Sequence, residues 1–300
     1  MRLMRNNVAQ LSITQKLVFT LLFLFFLILI IRSNFSNSPP QIQTHLSNNN
    51  SNQKTTTNEN DCSPNDISPV QQTCTKTPSF LAKALVHYVT TNVTPQQTLK
   101  EISVSMRILE KKSPCNFLVF GLGHDSLMWA ALNHGGRTVF LEEDKSWIEQ
   151  IRRRIPGLES YHVAYDTKLH QADELMKIGA EDEACKVVGD PRFSTCRLAL
   201  KNLPSDVYDT QWDLIMVDAP TGWVTDAPGR MTAIYTAGIM ARNRESGGES
   251  EVFVHDVDRP VEDKFSKAFL CEGYLTQQEG RLRHFTIPSH RGLLERPFCP

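Results

Sequence analysis

Hydrophobic and polar positions divide the chain into three stretches. Residues 17–31 (LVFTLLFLFFLILII) are apolar apart from one threonine and carry no charge. Residues 32–78 are dominated by Asn, Ser, Thr, Gln and Pro. Beyond that point apolar residues recur at helical and strand spacings in turn, which predicts a globular domain over 79–300. FLAKALVHYVTT predicts a first helix, and Thr94-Pro95-Gln96-Gln97 a capping box with proline at the first helical position, opening a helix to about Lys111. Strands are predicted over 117–120, 138–141, 161–165, 212–217 and 251–254, with an alternating edge strand over 280–288. Helices are predicted over 126–133, stopped by Gly135-Gly136, and over 145–154 and 231–243. Strands alternating with helices imply an α/β domain built on a doubly wound, mostly parallel sheet.

Such sheets bind ligands beyond the carboxyl ends of their strands. The chemistry-bearing residues of this chain fall at those ends: Gly121, Gly123 and Asp125 after the first strand, Glu142-Glu143-Asp144 after the second, Asp218 after the fourth, and His255-Asp256 after the fifth. Gly121 and Gly123 permit a tight turn and a close backbone approach to a ligand, although Ser126 replaces the third glycine of GxGxxG. Glu142 follows about twenty residues later, where an acid receives ribose hydroxyls. The combination favours an adenosine-containing cofactor, and NAD and S-adenosylmethionine both fit. Tyr165-Asp166 is positioned for the adenine, although a tyrosine there also suits packing.

A carboxylate closing a buried strand, as Asp218 does, is costly unless it has a task or a partner. With His255 and Asp256 it offers ligands for a divalent cation; the same residues also suit a hydrogen-bonded network without one. Arg230, where a helix begins, suits a clamp on a substrate carboxylate, or a partner for Asp218 or Asp226; Arg259 is a second substrate contact. His124 is a second possible base, and Arg152-Arg153-Arg154 suits an exposed helix face.

The net charge is −1, which gives no support to nucleic-acid binding. Lys16 and Arg32 bracket the 17–31 segment, and Arg2 and Arg5 precede it. The expected layout is a cytosolic tail (1–16), a single transmembrane signal anchor (17–31), a flexible lumenal stem (32–78) and a lumenal domain (79–300). Sequons begin at Asn34, Asn49 and Asn92. There are seven cysteines and no CxxC, which argues against structural zinc. In an oxidising lumen Cys185–Cys196, Cys271–Cys299 and Cys62–Cys74 are plausible disulfides, with Cys115 a buried thiol.

NFLVFGLGHDSLMWAALNHGGRTVFLEED, WDLIMVDAPTGW, DAPGRMTAIYTAGIMARNR, EVFVHDVDR and EGRLRHFTIPSHR resemble the plant glucuronoxylan 4-O-methyltransferases over about residues 62–300. The resemblance implies a Rossmann-like class I methyltransferase fold, S-adenosylmethionine as cofactor, and the 4-hydroxyl of glucuronic acid side chains on xylan as acceptor. It also implies a single-pass type II Golgi membrane protein, associated with other xylan-synthesis proteins. The residues carried over are Gly121, Gly123, Glu142, Asp218, His255 and Asp256. Two rival readings stand beside it. Asp256-Val257-Asp258 is a DxD of the kind that holds metal and sugar nucleotide in a Golgi glycosyltransferase. A non-catalytic xylan-synthesis accessory protein on the same fold is the other.

Overall fold

The run NFLVF becomes the centre of a seven-stranded sheet. The structure, a computed structural model, describes residues 78–245, 247–291 and 296–300. The expected anchor, nearly all of the stem and the Cys62–Cys74 pair lie outside the described residues. Among the described residues no helix is long and apolar enough to cross a membrane.

The strands are β1 (Asn116–Phe120), β2 (Arg137–Glu142), β3 (Glu159–His162), β4 (Leu214–Val217), β5 (Glu249–Val254), β6 (Leu275–Glu279) and β7 (Leu282–Pro288), in spatial order β3-β2-β1-β4-β5-β7-β6. The first five are mutually parallel, and β7 runs antiparallel to both β5 and β6. The sheet order steps outward in opposite directions from β1 and β4, so a crevice opens between their carboxyl ends.

The strands are apolar on both faces because both are covered. Leu118, Phe120, Ile215, Val217, Val252 and Val254 join one core. It is closed by the helices α5 (Ala172–Glu181) and α7 (Met231–Arg242). Phe117, Val119, Leu214, Met216 and Phe253 join the other. That face is closed by α1 (Ser79–Thr90), α2 (Leu99–Lys112), α3 (Ser126–Leu132) and α4 (Lys145–Arg154). The other two α-helices among the described residues, α6 (Ser205–Asp209) and α8 (Pro260–Phe265), are short.

Three local expectations are corrected. The capping box belongs to Thr98 and Glu101, not Thr94 and Gln97: Thr98 Oγ1 accepts from Glu101 N, and Glu101 Oε2 accepts from Thr98 N at 2.6 Å. A carboxylate is the stronger acceptor for that amide, and Glu101 also binds Arg281 N at 2.7 Å, so the helix starts a turn later. Strand β3 ends at His162 rather than Tyr165. The predicted edge strand is instead the inner member of a hairpin that turns at Gly280, φ +55°. The true edge, LTQQE, is too polar to announce itself. Cys185–Cys196 and Cys271–Cys299 are both formed. Cys115 is a buried free thiol pushed up to about 11, by burial first and then by nearby Asp213.

Candidate active site

Above the carboxyl ends of β1, β2 and β4 lies a cavity of about 840 Å³. One wall is the turn after β1. Gly121 adopts φ +129°, a conformation side chains rarely reach, and a Cβ there would lie 3.4 Å from the Ala219 Cβ. At Gly123 a Cβ would meet Asp125 Oδ1 at 2.8 Å. Glu142 holds this turn from beneath: Oε2 accepts from Leu122 N at 3.2 Å, and Oε1 from Glu143 N and Asp144 N at 2.8 and 3.0 Å. Three of its roughly four acceptor positions are thus filled by backbone amides, which leaves room for one ribose hydroxyl. Burial pushes the Glu142 carboxyl above its usual range against the pull of those amides. Trp147 Nε1 donates to Leu122 O at 2.6 Å and braces the turn from α4. This bare, glycine-floored cradle with a carboxylate at its foot fits an adenosine-bearing cofactor.

Asp218 forms the floor. Its Oδ1 lies 2.9 Å from His255 Nδ1 and 3.4 Å from Arg230 Nη2, while Oδ2 accepts from Gln97 Nε2 at 3.1 Å. Burial opposes ionisation of Asp218, but the His255 hydrogen bond and the Arg230 charge outweigh it and hold the carboxyl below the usual range. Because an ionised carboxylate only accepts, His255 Nδ1 carries the proton in this pair. Asp125, on the same cavity, is pushed upward by burial and by the Asp218 charge, with its Oδ2 accepting from Trp129 Nε1 at 2.9 Å. Environments that separate two neighbouring carboxyls in this way assign them different protonation roles.

Asp256 sits at φ 61°, in the left-handed region, and is almost fully buried. Its Oδ2 meets Arg230 Nη2 and Arg259 Nη2, each at 2.9 Å, and its Oδ1 meets Arg281 Nη1 at 2.6 Å. Arg230 also donates to Pro220 O and His255 O, so it is a buried strut and not a free clamp. Its pairing with Asp218 and Asp256, not Asp226, answers the alternative left open by the sequence. Arg259 differs: its Nη1 is buried and has no hydrogen-bond partner among the described residues.

Ligand atoms of Asp218, His255 and Asp256 do lie within 4.8 Å of one another. The set nevertheless does not fit a divalent cation. Three guanidinium groups already neutralise Asp256, and His255 Nδ1 is committed to Asp218. The DxD reading fails on the same ground, since Asp256 is buried beneath arginines while Asp258 is exposed. Asp166 is exposed and does not line the cavity. Tyr165 keeps a buried hydroxyl without a hydrogen-bond partner among the described residues, and burial raises its pKa.

Sequence reasoning missed Gln97, whose signal was hidden by the misplaced capping box, and Glu262. Glu262 is buried, with neither carboxylate oxygen hydrogen-bonded among the described residues; Oε1 lies 3.9 Å from Arg230 Nε and from Arg259 Nη1, and burial raises its pKa. A Cβ at Gly222 would press on Glu262 Oε1 and force that carboxylate to shift.

The profile of the family described as IRX15/IRX15L/GXM matches residues 100–285, which run from α2 into β7 and include Gly121, Gly123, Glu142, Asp218, His255, Asp256 and Arg259. Glucuronoxylan 4-O-methyltransferase 1 of Arabidopsis thaliana is 69% identical over 231 residues, 76% of this chain and 82% of that protein. Glucuronoxylan 4-O-methyltransferase 3 of the same plant is 58% identical over 96% of this chain and 95% of its own. Arabinogalactan O-methyltransferase 2, also from Arabidopsis thaliana, is 49% identical over 75% of this chain and 79% of its own. Similarity of this extent, running through the glycine turn, the Asp218 floor and the arginine-bound Asp256 alike, places the chain in the IRX15/IRX15L/GXM family.

Proposed function

We propose that this chain is an S-adenosylmethionine-dependent O-methyltransferase that acts on the 4-hydroxyl of glucuronic acid side chains of glucuronoxylan. One observation carries the proposal: a single cavity joins the glycine cradle and Glu142 to an ionised Asp218 and an unpartnered Arg259 nitrogen. The relatives named glucuronoxylan 4-O-methyltransferases, at 58–69% identity, supply the acceptor.

S-adenosylmethionine, when bound, supplies a methyl group already activated on sulfonium. The protein's task is to align the acceptor oxygen and to take one proton. Asp218 takes that proton. His255 fixes the carboxylate through Nδ1, and Gln97 steadies its other oxygen. Arg259, on the cavity wall, supplies the cation for the uronate carboxylate, while Asp256 holds its Nη2. Glu142 keeps the turn in shape for the donor.

The chain is further read as a single-pass type II protein of the Golgi membrane, with residues 79–300 lumenal. The uncharged 17–31 segment with its basic flanks supports this, as do two disulfides, which form in oxidising compartments. The test is to incubate the full chain with methyl-labelled S-adenosylmethionine and unmethylated glucuronoxylan, then locate the label. Label on O-4 of glucuronic acid is expected; label on another sugar, or none, overturns the reading.

A further inference from the structure

The chain has four tryptophans, and three are engaged. Trp129, Trp147 and Trp212 each donate an indole N–H to a protein acceptor and pack into the domain. Trp223 is different. It lines the cavity, is 74% exposed, and its indole has no hydrogen-bond or ring partner among the described residues. Val224 beside it is exposed as well.

The segment that presents Trp223 is not loosely attached. Thr221 donates from both N and Oγ1 to Glu143 Oε1, at 2.9 and 2.7 Å. Gly229 N donates to Thr221 O, and Leu169 N and His170 N donate to Ala227 O and Thr225 O. A loop pinned at both ends, carrying a large bare aromatic side chain to a cavity, is arranged to meet a ligand at low ordering cost.

Its place in the cavity indicates which ligand. Gly222, the preceding residue, has its Cβ position 3.5 Å from Arg259 Nη1, so the loop that carries Trp223 passes the Arg259 wall of the cavity. We infer that Trp223 is a stacking platform for the sugar residues of a polymeric acceptor next to the one being methylated, an inference that rests on the carbohydrate reading above. The C–H face of a pyranose ring is apolar and its hydroxyls point outward, so an exposed indole can cover one face while the rest of the ring stays in water. The platform would discriminate a chain from a single residue.

The test compares the full chain with W223A and W223F on two acceptors: unmethylated glucuronoxylan, and a xylose bearing one glucuronic acid. S-adenosylhomocysteine affinity is titrated in parallel. W223A is expected to raise KM for the polymer roughly tenfold. It should leave KM for the short acceptor and S-adenosylhomocysteine affinity within about twofold, and W223F should recover most of the polymer affinity. A polymer KM unmoved by W223A overturns the inference, as does an equal rise in KM for both acceptors. Weakened S-adenosylhomocysteine binding in W223A would assign the indole to the donor and overturn it too. If the wild-type chain methylates neither acceptor, the carbohydrate reading itself falls; an active wild type with an indifferent W223A removes the platform alone.

Discussion

Asp218 Oδ1 and His255 Nδ1 face each other at 2.9 Å from just beyond the ends of two adjacent parallel strands. Their register is fixed by the sheet itself, since His255 N donates to Val217 O. The carboxylate proposed to accept the proton is therefore aimed by backbone pairing and not by a mobile loop. Asp218→Asn should lower kcat by between about a hundredfold and ten-thousandfold while S-adenosylmethionine affinity stays close to wild type. Asp125→Asn, at the carboxyl that burial already keeps inclined to protonation, should be far milder. Single-turnover rates with parallel calorimetry would separate the two; a near-normal rate in Asp218→Asn removes it as the base.

Glu142→Ala strips the acceptor from three backbone amides at once. Donor affinity should fall by about tenfold or more, with a smaller change in acceptor KM. Titration with S-adenosylhomocysteine checks this, and unchanged affinity would refute the role.

Arg259→Lys retains a cation for Asp256 but loses the second, planar donor edge. Acceptor KM should rise roughly tenfold with kcat largely kept. Initial rates over a range of glucuronoxylan concentrations decide the matter, and an unaltered KM would count against uronate binding.

Exhaustive chelation should leave activity intact, because the guanidinium groups of Arg230, Arg259 and Arg281 already occupy the charge environment of Asp256. Loss of activity after chelation, restored by a divalent ion, would reverse that conclusion.

Acid stability has a separate origin. Burial disfavours an ionised Glu251, yet His284, Lys112 and Thr286 hold its pKa at about 2. A depressed folded-state pKa gives stability that is present above the unfolded value and lost as pH falls through the folded one. The contribution is on the order of 3 kcal/mol, fading between roughly pH 4.5 and 2. Glu251→Gln should flatten that limb of a denaturation series, and an unchanged limb would place the effect elsewhere.

The parallel core was legible because FLVF, VFL and LIMV are apolar without interruption, as strands covered on both faces must be. The site was legible for a related reason: polar residues such as Asp218 and His255 interrupt those runs at their carboxyl ends. What stayed hidden depends on contacts distant in sequence. Glu101 captures Arg281 N across 180 positions, and no local pattern reports that bond. Arg230 suits either a substrate clamp or a partner for Asp218 or Asp226 in the sequence, and only the fold brings Asp256 against it. Between β3 and β4 the chain has, besides α5, only short helical pieces around Cys185–Cys196, so periodicity had little to register there.

Helix α7 connects two remote parts of the molecule. It begins beside Arg230 and ends, about 18 Å away, at Arg242, and it is buried along nearly its whole length. Among the described residues Arg242 has no carboxylate partner: it bonds the carbonyls of Gly238, Phe269 and Phe298, stacks on the Phe298 ring at 4.1 Å, and is brought down to about 10 by burial. Phe298 is kept there by its neighbour, the Cys271–Cys299 bridge. The choice of expression host is thus a functional variable. A cell that keeps thiols reduced would unlatch the tail, admit water to the Arg242 end, and loosen the far end of the rod that carries Arg230 to the Asp256 carboxylate.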